Sequence, residues 1–572
     1  MEDLAKKTQL RNNEYYCIQE VFDELYKRSA RGDNFYDLVK LINKDVNIRL
    51  AYRNIKTNDG SKTNGLNGKN MSFIANMCLS RFLNEIKNQI ENYKPSLIKR
   101  IGIPKSNGKI RYLGIKEPQD KIIEQAIYQI MEPILNAKFH NNSNGFIKGR
   151  NTGRAIAQFT NYTLRDKLYY VIDLDIKSFF DNVNHGKLLK QLWSCGVRDK
   201  NLLTLISKML KAEVFNVGVP EKGTPQGGIL SPLLANLVLN ELDWWLESKT
   251  SKGIRFVRYA DDVKILCPTY LIARDMLEKT TKWLKERLDL EVCEEKTQII
   301  NLKRNYSNFL GIKLKVKKHK GKYKIVSHMT DKAKENVKEK IKKQIRRIKK
   351  TNNNEKKFNQ ETERYNSLAR GVHNYYNMAT KVYEDLLNLH RSTRRYFEEK
   401  LNCEYTFQKG RKRKIPLIRG KPLIMIGEVE SDPPRYSENK INYFEEKSRR
   451  LFHKELEIEN IFMLDIILKN PWYHESVEFN DVVLSRFCGQ LGKYAITNEP
   501  IYNVRNLKPL KIKFNGNDKY DNIILVESRI ENLIKLKEVD DIIKISNLIK
   551  GVKLKEIEKI NKIRKENSLL LI

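Results

Sequence analysis

Two adjacent carboxylates, Asp261 and Asp262, interrupt an otherwise apolar, β-branched and aromatic run, Phe256-Val257-Arg258-Tyr259-Ala260-Asp261-Asp262-Val263-Lys264-Ile265-Leu266. The pattern predicts a β-hairpin with the acids at its turn, its strands holding the flanks while the carboxylates meet solvent and divalent cations. Mg²⁺ takes few protein carboxylates and fills its octahedron with water and phosphate oxygens, so a third acid is expected from elsewhere. A second apolar run ends in acids at Tyr169-Tyr170-Val171-Ile172-Asp173-Leu174-Asp175-Ile176-Lys177-Ser178-Phe179-Phe180-Asp181. Asp173 and Asp175 share one face of that predicted strand, because side chains alternate with period two. A strand-end carboxylate beside a hairpin-tip pair is what two-metal phosphoryl or nucleotidyl transfer requires, two cations clamping the attacking and leaving oxygens. Alone, an Asp-Asp pair is more often a plain surface turn.

The elements that position these acids belong to a large, basic chain. Its 572 residues carry 108 Lys and Arg against 70 Asp and Glu, a net charge of +38, which points to a polyanionic partner. The length predicts three or four domains. No run of about 18 apolar residues suggests a membrane span, and Met1-Glu2-Asp3-Leu4-Ala5-Lys6-Lys7 lacks the look of a signal or transit peptide. A cytoplasmic bacterial or organelle-encoded protein without membrane partners is expected. Seven scattered cysteines with no CxxC pair argue for a reducing compartment and against a cysteine-rich zinc site.

Neighbouring stretches resemble the group II intron-encoded reverse transcriptases. Tyr259-Ala260-Asp261-Asp262 matches their YxDD box, and Gly223-Thr224-Pro225-Gln226-Gly227-Gly228-Ile229-Leu230-Ser231-Pro232 resembles the loop and helix before it. Glu294-Glu295-Lys296-Thr297 and Asn308-Phe309-Leu310-Gly311 are similar to the later boxes; Ile103-Pro104-Lys105-Ser106-Asn107-Gly108-Lys109-Ile110-Arg111 and Gly145-Phe146-Ile147-Lys148-Gly149-Arg150 are similar to the earlier ones. Each match is weak alone, but several in order over the first 310 or so residues are not chance. Ile147-Lys148 depart from the usual Arg-Pro, which weakens the expectation of template contacts there.

The resemblance implies an α/β multidomain right-hand polymerase (fingers, palm, thumb) with a helical, basic maturase domain and a small α+β C-terminal domain. It implies two Mg²⁺ held by Asp175, Asp261 and Asp262, with Asp173 a structural acid. Implied nucleotide ligands are Lys105 and Arg111 for the triphosphate, Phe180 as the ring that excludes a ribose 2′-hydroxyl, Gln226 near the base, and Lys296, read on a helix start, near the phosphates. Phe179 is expected to face inward.

Along the chain, 1–69 reads as an N-terminal extension, helical to about 60 and followed by a polar, Gly-rich loop; Lys56 and Lys62 there fit phosphate contacts or a merely solvated surface. Residues 70–315 read as fingers and palm, and the helix near 120–135 as amphipathic core. From about 316 to 405 the chain reads as helical and basic, with Val337, Ile341, Gln344, Ile345 and Ile348 on one face. Arg370-Gly371-Val372-His373-Asn374-Tyr375-Tyr376 there resembles the maturase (thumb, or X) domain, with His373 read as packing. Residues 406–475 read as linker, small β elements and a DNA-binding-like region; the basic run Lys409 to Lys414 could clamp phosphate. Residues 476–572 resemble a degenerate HNH endonuclease, with Asn522 kept and the histidines replaced near Asn506 and Leu507 and by Glu531 or Lys535; no His follows His474.

The expected function is an RNA-directed DNA polymerase and group II intron maturase without endonuclease activity, partnered by intron RNA, an RNA template with DNA primer, target DNA and dNTPs. The alternatives are a splicing-only RNA-binding protein with a vestigial polymerase, a domesticated reverse transcriptase without an intron, or a viral RNA-dependent RNA polymerase, the last disfavoured by Ala260 and Phe180.

Overall fold

The computed structural model describes residues 10–104, 108, 110–351, 354–401, 404–407, 414–437, 442–451, 453–454, 457–458, 461–536 and 542–572. Lys105 and the run Lys409 to Arg413 lie outside them. The chain divides into two compact units, one built from 140–182 and 238–440, the other from 2–139, 183–237 and 441–572.

In the first unit, β1 (Tyr170–Leu174), β2 (Arg255–Tyr259), β3 (Asp262–Cys267) and β4 (Gln298–Asn301) form an antiparallel sheet in the order β2-β3-β1-β4. Val171, Ile172, Val257, Ile265 and Leu266 are fully buried, because helices Thr152–Arg165 and Tyr270–Trp283 pack on its strands. The apolar runs around the acids are therefore core strands. Register places Asp173 opposite Lys264, and Tyr259 opposite Asp262, so Ala260 and Asp261 form a two-residue turn.

A second antiparallel sheet follows, β5 (Ser307–Phe309), β6 (Ile312–His319) and β7 (Lys322–Met329). This corrects the expectation that the chain turns helical near 316. The lysines there alternate with apolar residues at period two: Ile312, Leu314 and Val316 are buried, while Lys313, Lys315 and Lys317 point the other way, as on a half-buried strand. Helices Asp331–Lys349, Glu355–Tyr376 and Val382–Leu401 come next. In the first of them Val337, Ile341, Gln344, Ile345 and Ile348 are buried as the spacing predicts, and Thr330 caps its start by accepting from the Ala333 amide. His373 contacts the Ile426 carbonyl at 2.9 Å, a packing role. Short strands Glu404–Phe407, Lys414–Ile418 and Lys421–Pro422 form a small sheet.

The second unit holds helices Gln19–Arg31, Asp45–Ile55, Leu79–Glu91 and Pro118–Asn136 and a hairpin of Lys99–Pro104 with Ile110–Ile115. Its C-terminal part has helix Val477–Gly489, an antiparallel hairpin of Leu507–Lys511 with Ile523–Glu527, and helix Ser528–Lys535, with Leu510, Val526, Ile530, Leu533 and Ile534 in one core. Asp481, on helix Val477–Gly489, is tied to the N-terminal helices by Tyr16 (2.8 Å), Arg53 (2.6 Å) and Lys56 (2.6 Å). Lys56 also reaches Glu478 at 2.8 Å. Lys56 is thus paired inside the unit, which corrects both readings of it, as a phosphate contact and as a merely solvated lysine. Among the described residues no helix is long and apolar enough to cross a membrane.

Candidate active site

Backbone pairing fixes where the acids stand. Asp175 follows the last residue of β1; its carbonyl accepts from the Cys293 amide at 2.8 Å and its amide donates to Thr297 Oγ1 at 3.2 Å. Asp261 is exposed at the β2–β3 turn. Ala260 beside it holds φ 56°, a left-handed conformation that costs a non-glycine residue on the order of 1–3 kcal/mol and persists only where surroundings impose it.

Those surroundings are specific. Segment 142–144 pairs alongside β2, with the Arg258 amide donating to Asn142 and the Asn144 amide to Arg258, both at 2.8 Å. It delivers Gly145 against the backbone of Tyr259 and Ala260. The Arg258 guanidinium, fully buried like its partner, binds both oxygens of Asp243 (2.7 and 2.5 Å) and donates a third hydrogen bond to the Ala260 carbonyl at 2.8 Å. A planar fork of donors is suited to this.

The carboxylates are paired with lysines. Lys264, whose side chain is 5 % exposed, lies 3.0 Å from Asp262 and 3.3 Å from Asp173. Ser307 donates to Asp173 at 2.8 Å. Burial pushes both Asp173 and Asp262 above the ordinary carboxylate pKa, the Lys264 ammonium offsetting part of the rise. Burial acts against the charged form of Lys264, but the two acids outweigh it and hold its pKa above the usual lysine value. Asp173 is thus a buried structural acid, as read from sequence.

Lys296 sits in the turn before β4, not on a helix start, and contacts both oxygens of Asp175 at 3.1 and 3.2 Å. The hydrogen bond to Asp175 raises its pKa, with Asp261 contributing further attraction. A cation is therefore already drawn to the space that Asp175 and Asp261 flank. Among the described residues no three acidic, His or Cys side chains are gathered closely enough to hold a metal ion as they stand. The hard oxygen donors and their pull on an ammonium nonetheless fit a divalent cation of the Mg²⁺ kind.

Ser178 at φ 44° turns the chain after Asp175. Phe179 is buried and Phe180 half-buried, their rings edge-on with centroids 5.4 Å apart. Asp175, Phe180, Asp261, Asp262 and Lys296 thus belong to one unit. In the other unit, Arg111 Nε donates to Gln226 Oε1 at 3.0 Å, and the Gln226 carbonyl accepts from Gly114 at 2.8 Å. Gly227 holds φ 100°, a conformation that strains any side-chain-bearing residue, and a Cβ there would crowd the Gly114 carbonyl at 3.2 Å. The structure brings Arg111 and Gln226 together, while Lys105 is not described. Phe146 is exposed; Arg150 donates to the His140 and Ser143 carbonyls at 2.6 Å, a role inside the fold.

Sequence reasoning missed Lys264, the Arg258–Asp243 pair and the support from Gly145. The available signal was a charge inside each apolar strand, Arg258 before the turn and Lys264 after it.

Comparison with known proteins bears on this site. The family model for reverse transcriptase (RNA-dependent DNA polymerase) matches residues 103–314. The chain is similar to Protein YkfC of Escherichia coli (strain K12), 30% identical over 331 residues, 51% of this chain and 86% of that protein. It is also similar to the group II intron-encoded protein LtrA of Lactococcus lactis subsp. cremoris, 27% identical over 390 residues, 55% of this chain and 60% of LtrA. A putative COX1/OXI3 intron 1 protein of Saccharomyces cerevisiae is 30% identical over 277 residues, 47% of this chain and 32% of its own length. The matches thus span most of the first relative but only part of the intron-encoded ones.

Proposed function

The chain belongs to the reverse transcriptase family, the RNA-directed DNA polymerases, and from that premise we propose that it copies RNA into DNA and acts as the maturase of a group II intron. The observation that carries the reading is the pairing of β1 with β3 up to Leu174 and Val263, which puts Asp175 at the same end of the sheet as the Asp261–Asp262 turn. Asp175, Asp261 and Asp262 would hold Mg²⁺, which supplies charge stabilisation to the attacking 3′-hydroxyl and to the leaving oxygen. Lys296 balances the acids and moves to the incoming phosphates. Phe180 fills the volume a ribose 2′-hydroxyl would need and so favours dNTPs. Lys105, Arg111 and Gln226 are assigned to the nucleotide on the resemblance of their boxes, with the Arg111–Gln226 contact in support.

The right-hand assignment follows the same reading, with the β1–β4 sheet as palm, the Lys99–Ile115 hairpin as fingers and helices 331–401 as thumb. Partners are group II intron RNA, an RNA template with DNA primer, target DNA and dNTPs. The C-terminal part is assigned no nuclease activity. It has no histidine after His474, and Asn522 is engaged with backbone atoms of Lys513 and Asn517, so the general base and metal ligand of a His-dependent nuclease are lacking.

Two assays test the two halves. Primer extension on an RNA template with dNTPs reads the polymerase. Splicing of the intron flanking the gene, with and without protein at limiting Mg²⁺, reads the maturase. Extension without any effect on splicing leaves a polymerase with no intron partner and removes the maturase half.

A further inference from the structure

The β6–β7 hairpin carries an arrangement the polymerase reading does not use. One face is core, with Ile312, Leu314 and Val316 buried. The opposite face is a basic stripe in which residues sit directly across from one another as Lys313 and His328, Lys317 and Lys324, and His319 and Lys322. No Asp or Glu occurs from Ile312 to Met329. Like charges placed opposite each other on neighbouring strands destabilise the pair, and Lys317 across from Lys324 is such a pair.

Nearby acids answer only the base of the stripe, at Lys313 and His328, and Glu384 attracts Lys317 without an ion pair. Asp331 is taken by Lys313 and Lys334, Asp385 by His328 and Lys334, and Glu384 by Lys381. Lys317, Lys320, Lys322 and Lys324 are exposed, and among the described residues none of the four forms an ion pair. Lys313 and Lys315 of the stripe lie over Tyr306 at 5.5 and 5.4 Å, while Tyr323, on the face of Ile325, is bridged to Tyr169 by Lys303 at 4.8 and 4.1 Å. Lysines on an edge strand can serve only to block unwanted strand pairing. That role needs a charge on the outer strand β7; it does not need Lys317 on the central strand β6 directly across from Lys324.

The stripe also runs away from the catalytic acids. Phe309, just before β6, lies beside Lys264 at 5.5 Å. From Ile312 the strand runs eight residues to Lys320, roughly 26 Å at ~3.3 Å per residue. Tyr323 near the tip packs against Tyr169 with the rings tilted by 54° and centroids 5.4 Å apart, and Tyr169 precedes β1, at the end of that strand remote from Asp175.

We propose that the outer face of the β6–β7 hairpin is a second polyanion-binding surface, which holds the phosphodiester backbone of an RNA helix outside the polymerase site. Successive lysines of one strand face stand about 6.7 Å apart and present a row of point charges to a phosphate track, with sequence-independent and salt-sensitive affinity. The inference rests on the reading of the chain as an RNA-handling polymerase, but it concerns a surface that the chemistry does not need.

The test uses the full chain with Lys317→Gln, Lys320→Gln, Lys322→Gln and Lys324→Gln combined, and a blunt RNA duplex that offers no primer end. The expected result is a loss of duplex affinity of about tenfold or more near physiological salt. The slope of log affinity against log salt should shrink by about 3.6, at about 0.9 for each of the lost contacts. The corresponding four Lys→Arg changes should retain affinity, and extension of a short primer on a short template should be unchanged in both variants. Asp261→Ala should bind the duplex like wild type, which separates failure of this surface from failure of the polymerase reading. Wild-type duplex affinity and slope in the Gln variant would overturn the proposal. So would parallel loss of short-primer extension, or lysine-dependent binding to anionic vesicles with duplex binding unaffected.

Discussion

A Cβ built on Gly145 falls 2.4 Å from the backbone nitrogen of Ala260, so the turn that carries Asp261 and Asp262 rests on a bare glycine. Gly145→Ala must push the turn outward, since backbone cannot interpenetrate. A displacement of about 1 Å at reacting groups costs on the order of 100-fold in rate. The variant is expected to keep its thermal midpoint within a few degrees and lose primer extension by that factor. A fully active Gly145→Ala protein would contradict the support role of the glycine.

The Arg258–Asp243 pair fixes the same turn from the other side. Asp243→Asn leaves a buried guanidinium short of its counter-charge, at a cost of about 3–5 kcal/mol. Chemical denaturation should register that loss. Arg258→Lys cannot grip Asp243 in bidentate fashion and still reach the Ala260 carbonyl, so it should lose activity as well as stability.

Phe180 is half-buried beside buried Phe179. Phe180→Ala should open room for a 2′-hydroxyl and reduce the preference for dNTP over NTP by about 100-fold, read as the ratio of kcat/KM for the two nucleotides. Phe179→Ala should act on stability and leave that ratio alone.

Asp481 supplies a pH-dependent link within its unit. Burial opposes its charge, but Lys56 and Arg53 overcome that and hold its pKa at about 2 against the ordinary 3.8. A depressed carboxylate pKa stabilises the fold above the unfolded value and ceases to do so as pH falls through the folded one. The contribution is about 2 kcal/mol, fully present above about pH 4 and lost towards pH 2. Asp481→Asn should lower the thermal midpoint at pH 7 and flatten its fall between pH 4 and 2 relative to wild type.

The chain's chemistry was legible wherever a polar residue broke an apolar pattern at an element's end. Asp261 stands at a turn and Asp175 just past a strand, as the sequence predicts, and Val337, Ile341, Ile345 and Ile348 face the core at helical spacing. Lysine-rich stretches were harder to read. The segment from about 316 to 329 reads as helical because its charge hides a period of two, and Lys56 reads as a phosphate contact or a solvated lysine because its partners, Glu478 and Asp481, lie more than four hundred residues away. Asp243 lies only 15 residues from Arg258, on another element, and Gly145 is likewise remote from the turn it supports: no local pattern announces a contact made by tertiary packing.

The central claim is that Asp261, in its turn opposite Asp175, catalyses templated DNA synthesis. Primer extension on a long RNA template with Mg²⁺ and dNTPs, comparing wild type with Asp261→Ala, tests it most directly. Wild type should extend the primer and the variant should not, with both folded and binding RNA equally. Equal extension by the two proteins, or none by a folded wild type, would contradict the account.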